Sequence, residues 1–172
     1  MGAVFLRRAK PEDAMLLAQT RRTVWEETYR GIYPDEKIDG YNAGRYALRD
    51  KKLIESSEHQ YYLFMDGNCC AGYFSFGAPN YGPYKDFRLC LNNLYIRREY
   101  QGMGLGKQAF ACIQTYCADQ GIGKFYCGCN VHNIPARKFY LHMGGIPGAE
   151  SSGHADQSDD IIHYEFHIGE NK

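Results

Sequence analysis

Three closely spaced glycines, Gly102, Gly104 and Gly106, mark the part of the sequence where binding chemistry can be predicted from residue type. They stand between an apolar, strand-like run that ends at Ile96 and an amphipathic helical pattern that begins near Leu105. Glycine lacks a β-carbon, so such a loop can turn its N–H groups inward and let a ligand approach closely. The first N–H groups of a helix have no intrahelical acceptor, and the helix dipole is positive at that end. The loop is therefore predicted to bind an anion, most naturally a phosphate.

Two familiar nucleotide-binding motifs do not match this loop. A P-loop needs a hydroxyl residue after its lysine, and Gln108 follows Lys107 here. A dinucleotide-binding fingerprint needs a differently spaced third glycine, which the pattern Gly102-x-Gly104-x-Gly106 does not provide. From the loop alone, a tight strand–helix turn without any ligand remains the alternative.

Length and composition are those of one globular domain. The chain has 172 residues, of which 44% are hydrophobic and 23% charged, which is enough for a buried core. No repeat, linker or low-complexity run divides it, so residues 1–172 are predicted to form a single domain. The 20 acidic residues balance 20 basic ones, which argues against a general nucleic-acid binder.

The cysteine pattern and the lengths of the apolar runs predict the cellular compartment of the protein. The seven cysteines are scattered and lack a CxxC pair, so a structural zinc site is not expected, and we predict no metal. No signal-peptide pattern opens the chain, and no apolar run is long enough to span a membrane. Free thiols in such a chain favour the reducing cytoplasm.

Hydrophobic periodicity predicts an α/β chain around the loop. Strand patterns occur at 4–8, 61–65, 70–76, 87–96, 124–129 and 161–168. Helical patterns begin at Lys10 and also cover 46–54, 105–117 and 136–143. Two loops, 77–86 and 151–160, are long enough to border a binding site.

A second motif follows the glycine loop by about thirty residues and carries a family resemblance. It is NIPARKFYLHMGG, residues 133–145, in which an asparagine precedes a short helix that bears Tyr140. The glycine loop QGMGLGK (101–107), preceded by LYI (94–96), resembles the coenzyme-A loop of the GNAT superfamily of N-acetyltransferases. The second motif resembles that superfamily's other signature, and the order of predicted elements matches along nearly the whole chain.

The resemblance implies a fold. We expect a single α/β domain with a mixed, mostly antiparallel central sheet of about six to seven strands, flanked by helices. The acetyl-CoA loop would lie between the fourth strand and the following helix.

The resemblance also implies roles for individual residues. Backbone amides of 102–107 would hold the pyrophosphate of acetyl-CoA, and Gln101 would help to shape the loop. Residues 94–96 would pair with the pantetheine arm, Asn133 would hydrogen-bond it, and Tyr140 would be the catalytic acid for the departing thiolate. The residues predicted to bind the cofactor are Leu94, Tyr95, Ile96, Gln101, Gly102, Met103, Gly104, Leu105, Gly106, Lys107 and Asn133.

The implied reaction is transfer of the acetyl group of acetyl-CoA to a primary amine by direct attack, with no metal. A small-molecule amine such as a polyamine, an amino sugar or an amino-acid-like compound is favoured, because aromatic residues and acids near the site suit a cation. Those aromatic residues are Trp25, Tyr29, Tyr33, Tyr81 and Tyr84. The alternatives are a peptide or protein amine, and a non-catalytic acyl-CoA-binding module. A monomer or a homodimer is expected, with no nucleic acid or membrane as partner.

The general base is left open by the sequence. Cys90 occupies the place where many relatives carry a glutamate that is discussed as the base. Glu26, Glu27, Asp159 or Asp160 could replace it, since each is a carboxylate predicted near the site. A water relay ordered by Asn93 would need no carboxylate, and an acyl-carrying Cys90 is a further alternative.

Overall fold

The computed structural model describes residues 3–79 and 82–169, and within these ranges seven strands form one sheet. The strands are β1 Phe5–Arg8, β2 His59–Asp66, β3 Cys69–Gly77, β4 Cys90–Ile96, β5 Lys124–Asn130, β6 Ile146–Ser151 and β7 Ile161–His167. The helices are α1 Ala14–Tyr29, α2 Asp35–Asp39, α3 Ala43–Glu55, α4 Leu105–Asp119 and α5 Ile134–His142. The strand order is β1-β2-β3-β4-β5-β7-β6, and β4 with β5 is the parallel pair in an otherwise antiparallel sheet.

The parallel pair is short. β4 and β5 pair at Cys90 with Tyr126 and at Leu91 with Cys127. The pairing of β4 with β3 continues to Ile96, but its register skips Asn92, which makes that residue a bulge. A bulge bends its strand and increases the local twist. Beyond it β4 and β5 separate, and no strand of the described ranges lies beside the β5-facing edge of β4.

The two faces of the sheet carry different helices, because side chains alternate along each strand. α4 and α5 cover one face, where they bury the core residues Phe64, Phe74, Phe76, Leu91, Ala109, Phe110, Ile113, Phe125 and Phe166. α1 and α3 cover the other face over the first four strands, where Leu17, Tyr61, Leu63, Met65 and Tyr73 form a second cluster. The glycine loop begins α4, so the packing of α4 sets its position.

A buried ion pair joins α1 to α3. Arg21 is 1% exposed, and its Nη2 donates to Asp50 Oδ2 at 2.8 Å. The hydroxyl of Tyr61 donates to Asp50 Oδ1 at 3.3 Å. The guanidinium also faces the rings of Tyr73 and Tyr95 at 5.6 and 5.8 Å. Because Tyr95 belongs to β4, the pair connects both helices to the strand that borders the predicted site.

The predicted element order and the sheet flanked by helices are confirmed, and the structure adds two elements to it. α2 is short, and β6 contains Pro147 and Gly148 and has no buried residue, so neither has a clear periodic pattern. α5 begins at Ile134, earlier than predicted, because the side chain of Asn133 accepts the N–H of Ala136 and caps the helix. β4 begins at Cys90, later than the predicted 87–96.

We expect Asp50→Ala to lower the free energy of unfolding by roughly 3–5 kcal/mol, because the buried Arg21 charge would lose its partner. Urea unfolding followed by circular dichroism measures this change. The exposed pair Lys51–Glu55, at 3.9 Å, supplies the control. Glu55→Ala should cost less than about 1 kcal/mol. Losses of equal size in the two variants would contradict a structural role for the buried pair.

Candidate active site

A cavity of about 610 Å³ lies at the point where β4 and β5 separate. Its walls come from the end of β4, the glycine loop, the first turn of α4, the beginning and middle of α5, and the C-terminal half of α1. Tyr140 and every residue predicted to bind the cofactor line this cavity except Met103, which is 44% exposed. The structure therefore brings together two motifs that lie apart in the sequence, and the role of each residue in ligand binding remains a prediction.

The glycine loop has the backbone conformation that its composition predicts. Gly102 and Gly104 have φ angles of +78° and +81°, in the left-handed region that favours glycine. The N–H of Gln108 donates to the Gly104 carbonyl at 3.1 Å and begins the helical ladder. The N–H groups of 105–107 precede that bond, at the positive end of the helix. Gln101 Nε2 donates to the Ile96 carbonyl at 3.1 Å, which joins the loop to the end of β4.

Gly106 is needed for a different reason, because a side chain at this position would have no room. A β-carbon at this position would lie 2.7 Å from Cζ of Phe139. The Phe139 ring belongs to α5 and also lines the cavity. The absence of a side chain at Gly106 therefore allows α5 to approach the first turn of α4.

Asn133 and Tyr140 lie on the wall that α5 contributes. The polar atoms of Asn133 have partners within the chain: Oδ1 accepts from the Ala136 N–H at 3.2 Å, and Nδ2 donates to the Tyr29 hydroxyl at 3.4 Å. Tyr140 is 7% exposed, and burial, with the thiols of Cys127 and Cys129 nearby, raises its pKa well above the ordinary value. Its hydroxyl is therefore protonated at neutral pH, as a general acid requires.

The predicted aromatic residues are divided between two places. Tyr29 lines the cavity and stacks on Tyr33 at 4.3 Å, and Trp25 Nε1 donates to the Tyr95 hydroxyl at 3.4 Å. Tyr84 lies elsewhere, against Tyr126 at 4.9 Å and with its hydroxyl accepting the Ala149 N–H. Tyr81 lies outside the described residues.

Two candidates for the general base, and Cys90 as the candidate acyl carrier, have other surroundings in the structure than their roles would need. Glu26 pairs with Arg30 at 2.7 Å. Glu27 borders the cavity, but its Oε2 accepts the backbone N–H of Arg98 at 2.8 Å. Cys90 is 7% exposed and is not part of the cavity wall, and burial raises its pKa to about 12. A thiol with such a pKa is neither a base nor a nucleophile at neutral pH.

Asn93, the candidate for ordering a water relay, lies on β4, and its Nδ2 donates to Ser75 Oγ at 2.6 Å.

The two candidate carboxylates before β7 differ from each other. Asp159 is exposed. Asp160 is 3% exposed, and its two oxygens lie 2.8 Å from His132 Nε2 and 2.7 Å from His154 Nδ1. His132 lines the cavity and was not among the predicted residues. The sequence feature that could have identified His132 is its position directly before Asn133, the first residue of the second motif.

A protein-family match covers the two motifs that form this site, the second as far as Gly144. The model of the acetyltransferase (GNAT) family matches residues 22–144, which is more than half of the chain. The chain belongs to this family. A comparison with curated proteins finds no match.

Solved structures show the same fold at low sequence identity. PaiA N-acetyltransferase from Thermoplasma acidophilum, in complex with coenzyme A, is 19% identical with a TM-score of 0.74, covering 95% of this chain and 99% of its own. An acetyltransferase from Thermus thermophilus is 20% identical with a TM-score of 0.72, covering 96% and 97%. YncA from Salmonella typhimurium, with its cofactor acetyl-CoA, is 16% identical with a TM-score of 0.70, covering 98% and 96%.

These matches confirm the predicted GNAT relationship, the fold class and the assignment as an acyltransferase. Within residues 3–79 and 82–169, no group of three or more His, Cys, Asp or Glu side chains could hold a metal ion. No helix in the described part of the chain has the length and apolar character needed to cross a bilayer.

The contact between Gly106 and Phe139 predicts a binding defect. Gly106→Ala should weaken coenzyme-A binding by roughly tenfold, because the new methyl group overpacks the boundary between α4 and α5 and displaces the ring into the cavity. Isothermal titration calorimetry with coenzyme A measures the dissociation constant. Gly123→Ala is the matched control, since its β-carbon would meet no atom within 4 Å. Equal affinity in the two variants would show that the close approach has no effect on binding.

The burial of Cys90 predicts that no acetyl group is carried on this thiol. After incubation with acetyl-CoA but no amine, intact-protein mass spectrometry should show an unmodified chain, because a thiol with a pKa of about 12 is protonated at neutral pH. Cys90→Ala should keep its turnover in the presence of an acceptor. A mass increase of one acetyl group that disappears in Cys90→Ala would contradict direct attack.

Proposed function

We propose that this GNAT acetyltransferase transfers the acetyl group of acetyl-CoA directly to a primary amine of a small molecule. The observation that carries the proposal is the set of elements that line one cavity. The start of α4, the unpaired edge of β4 and the buried, protonated Tyr140 surround the same space.

The cofactor-binding part of the proposal rests on backbone groups. The N–H groups of 102–107 would hold the pyrophosphate, because the loop and the helix dipole both favour an anion there. The β4 edge at 94–96 would pair with the amide groups of the pantetheine arm as a neighbouring strand would. The solved structures with coenzyme A in PaiA and acetyl-CoA in YncA support a ligand of this type in this fold.

The chemical part needs little from the protein beyond alignment and proton transfer. Acetyl-CoA supplies an activated thioester when bound. A backbone N–H of β4 would stabilise the negative charge that develops on the carbonyl oxygen. The acceptor attacks as the neutral amine, so its ammonium form must first lose a proton. The nitrogen–carbon bond then forms, the carbon–sulfur bond breaks, the nitrogen gives a further proton to a base, and the Tyr140 hydroxyl gives its proton to the departing thiolate.

The choice of acceptor rests on the rings beside the cavity. Tyr29 and Tyr33 stack and are half-buried, and Trp25 packs edge-on against Tyr33 at 5.5 Å. Aromatic faces attract an ammonium group, so a small cationic amine fits this region. A peptide amine and a non-catalytic acyl-CoA-binding module are the competing functions.

A panel of amines tests the proposal. The purified protein, acetyl-CoA and each of spermidine, glucosamine, lysine, benzylamine and a lysine-containing peptide are incubated while free thiol is detected. We expect thiol release with at least one small amine, and an acetylated product by mass spectrometry. Tyr140→Phe should lower kcat roughly 10–100-fold with unchanged coenzyme-A affinity, because only the proton donor is lost. Tyr116→Phe, on α4 outside the cavity wall, is the matched control.

The competing functions predict other outcomes of the same panel. Release of free thiol with the peptide alone would favour a protein acceptor. Tight coenzyme-A binding without thiol release from any amine would favour the binding module. Unchanged kcat in Tyr140→Phe would remove the acid role from Tyr140.

A further inference from the structure

His132 is held by both its backbone and its side chain at the end of β5. The N–H of His132 donates to Asn130 Oδ1 at 3.0 Å, and the preceding Val131 N–H donates to the Asp160 carbonyl at 2.9 Å. The Nε2 atom of the ring lies 2.8 Å from Asp160 Oδ2. The ring is thus fixed against the segment before β7 while it remains part of the cavity wall.

The ionisation state of Asp160 determines which ring nitrogen of His132 can accept a proton. The N–H groups of His154 and His132 around the carboxylate lower the pKa of Asp160 to about 2, so it is ionised at neutral pH. An ionised carboxylate only accepts hydrogen bonds. His132 Nε2 must therefore carry the proton, and in the neutral ring Nδ1 holds the free lone pair. A carboxylate that fixes a histidine in this way is the arrangement by which an imidazole is prepared to act as a base.

We propose that His132 is the general base of the acetyl transfer and that Asp160 is its positioning residue. The inference rests on the proposed function, because a base is needed only if an amine is acetylated. Nδ1 takes the proton that the amine nitrogen loses as its bond to the acetyl carbon forms. The thiolate receives a different proton from Tyr140, and both groups then re-equilibrate with solvent.

Two other charged groups near the site have hydrogen-bond partners within the chain. Glu27 on α1 accepts the Arg98 N–H, and Arg137 on α5 donates to the Val131 carbonyl at 3.0 Å. His154 shares the Asp160 carboxylate, but it is not part of the cavity wall. His132 is the histidine that lines this cavity among the described residues, and its side chain is 37% exposed, which leaves it accessible to an acceptor.

The test uses the full chain and the amine from the panel that wild type acetylates fastest. His132→Gln should lower kcat roughly 100-fold, which is the usual contribution of a general base, with coenzyme-A affinity changed less than about twofold. His142→Gln, on the exposed end of α5, is the matched control and should match wild type. Adding imidazole to His132→Ala should restore part of the lost rate, whereas it should have no effect on His142→Ala.

Asp160→Asn separates positioning from catalysis. The asparagine amide would donate to Nε2 and force the proton onto Nδ1, so kcat should fall although the histidine is still present. Coenzyme-A affinity and the thermal midpoint of this variant report whether the segment before β7 remains folded.

The results also distinguish the two proposals. Unchanged kcat in His132→Gln, or no recovery of His132→Ala with imidazole, would overturn the assignment of the base and leave acetyl transfer intact. A wild-type protein that binds coenzyme A but acetylates no amine would overturn the proposed function and this assignment with it.

Discussion

The separation of β4 from β5 is the constraint on which the binding site depends. A strand edge inside a folded domain normally finds a partner, because a buried backbone group without a hydrogen bond costs about 1–3 kcal/mol. Here β4 loses that partner after Leu91, next to a bulge at Asn92. The resulting gap leaves residues 94–96 on the cavity wall without a neighbouring strand on that side among the described residues. In the proposed function, a ligand with amide groups of its own would pair with this edge, so the defect in the sheet would provide the recognition surface.

The elements around the gap keep it open and give it chemical character. α4 begins at one end of the gap, and Gly104, in the left-handed conformation, directly precedes the first turn of the helix. α5 packs against α4 because Gly106 leaves room for Phe139. On the other side, Arg21 is buried among the rings that support Tyr95. The predicted anion site, the strand edge and the aromatic region are therefore parts of one packed arrangement.

How far the sequence predicts this arrangement depends on the range of the interactions. The glycine loop and the asparagine that caps α5 act within a few residues, so their patterns were sufficient to show the family resemblance, and that resemblance implied the fold and the residues that meet in the cavity. β6 pairs with β7 through a register that shifts after Pro147, and no local alternation marks it. The contact of His132 with Asp160 joins residues 28 positions apart, which a single sequence does not pair. For that reason the sequence pointed to Asp160 only as a lone carboxylate.

The carboxylate of Asp160 has a consequence for how the loop before β7 can vary in sequence. One oxygen bonds the ring of His132 and the other bonds both the ring and the backbone N–H of His154, at 2.8, 2.7 and 2.9 Å. The loop before β7 and the ring that lines the cavity thus share one anchor. Exposed positions of this loop such as Ser152 can be substituted without a direct effect on that anchor. A change in loop length next to Asp160 would instead move the ring of His132, so the loop can diversify by replacement at its exposed positions more readily than by insertion beside Asp160.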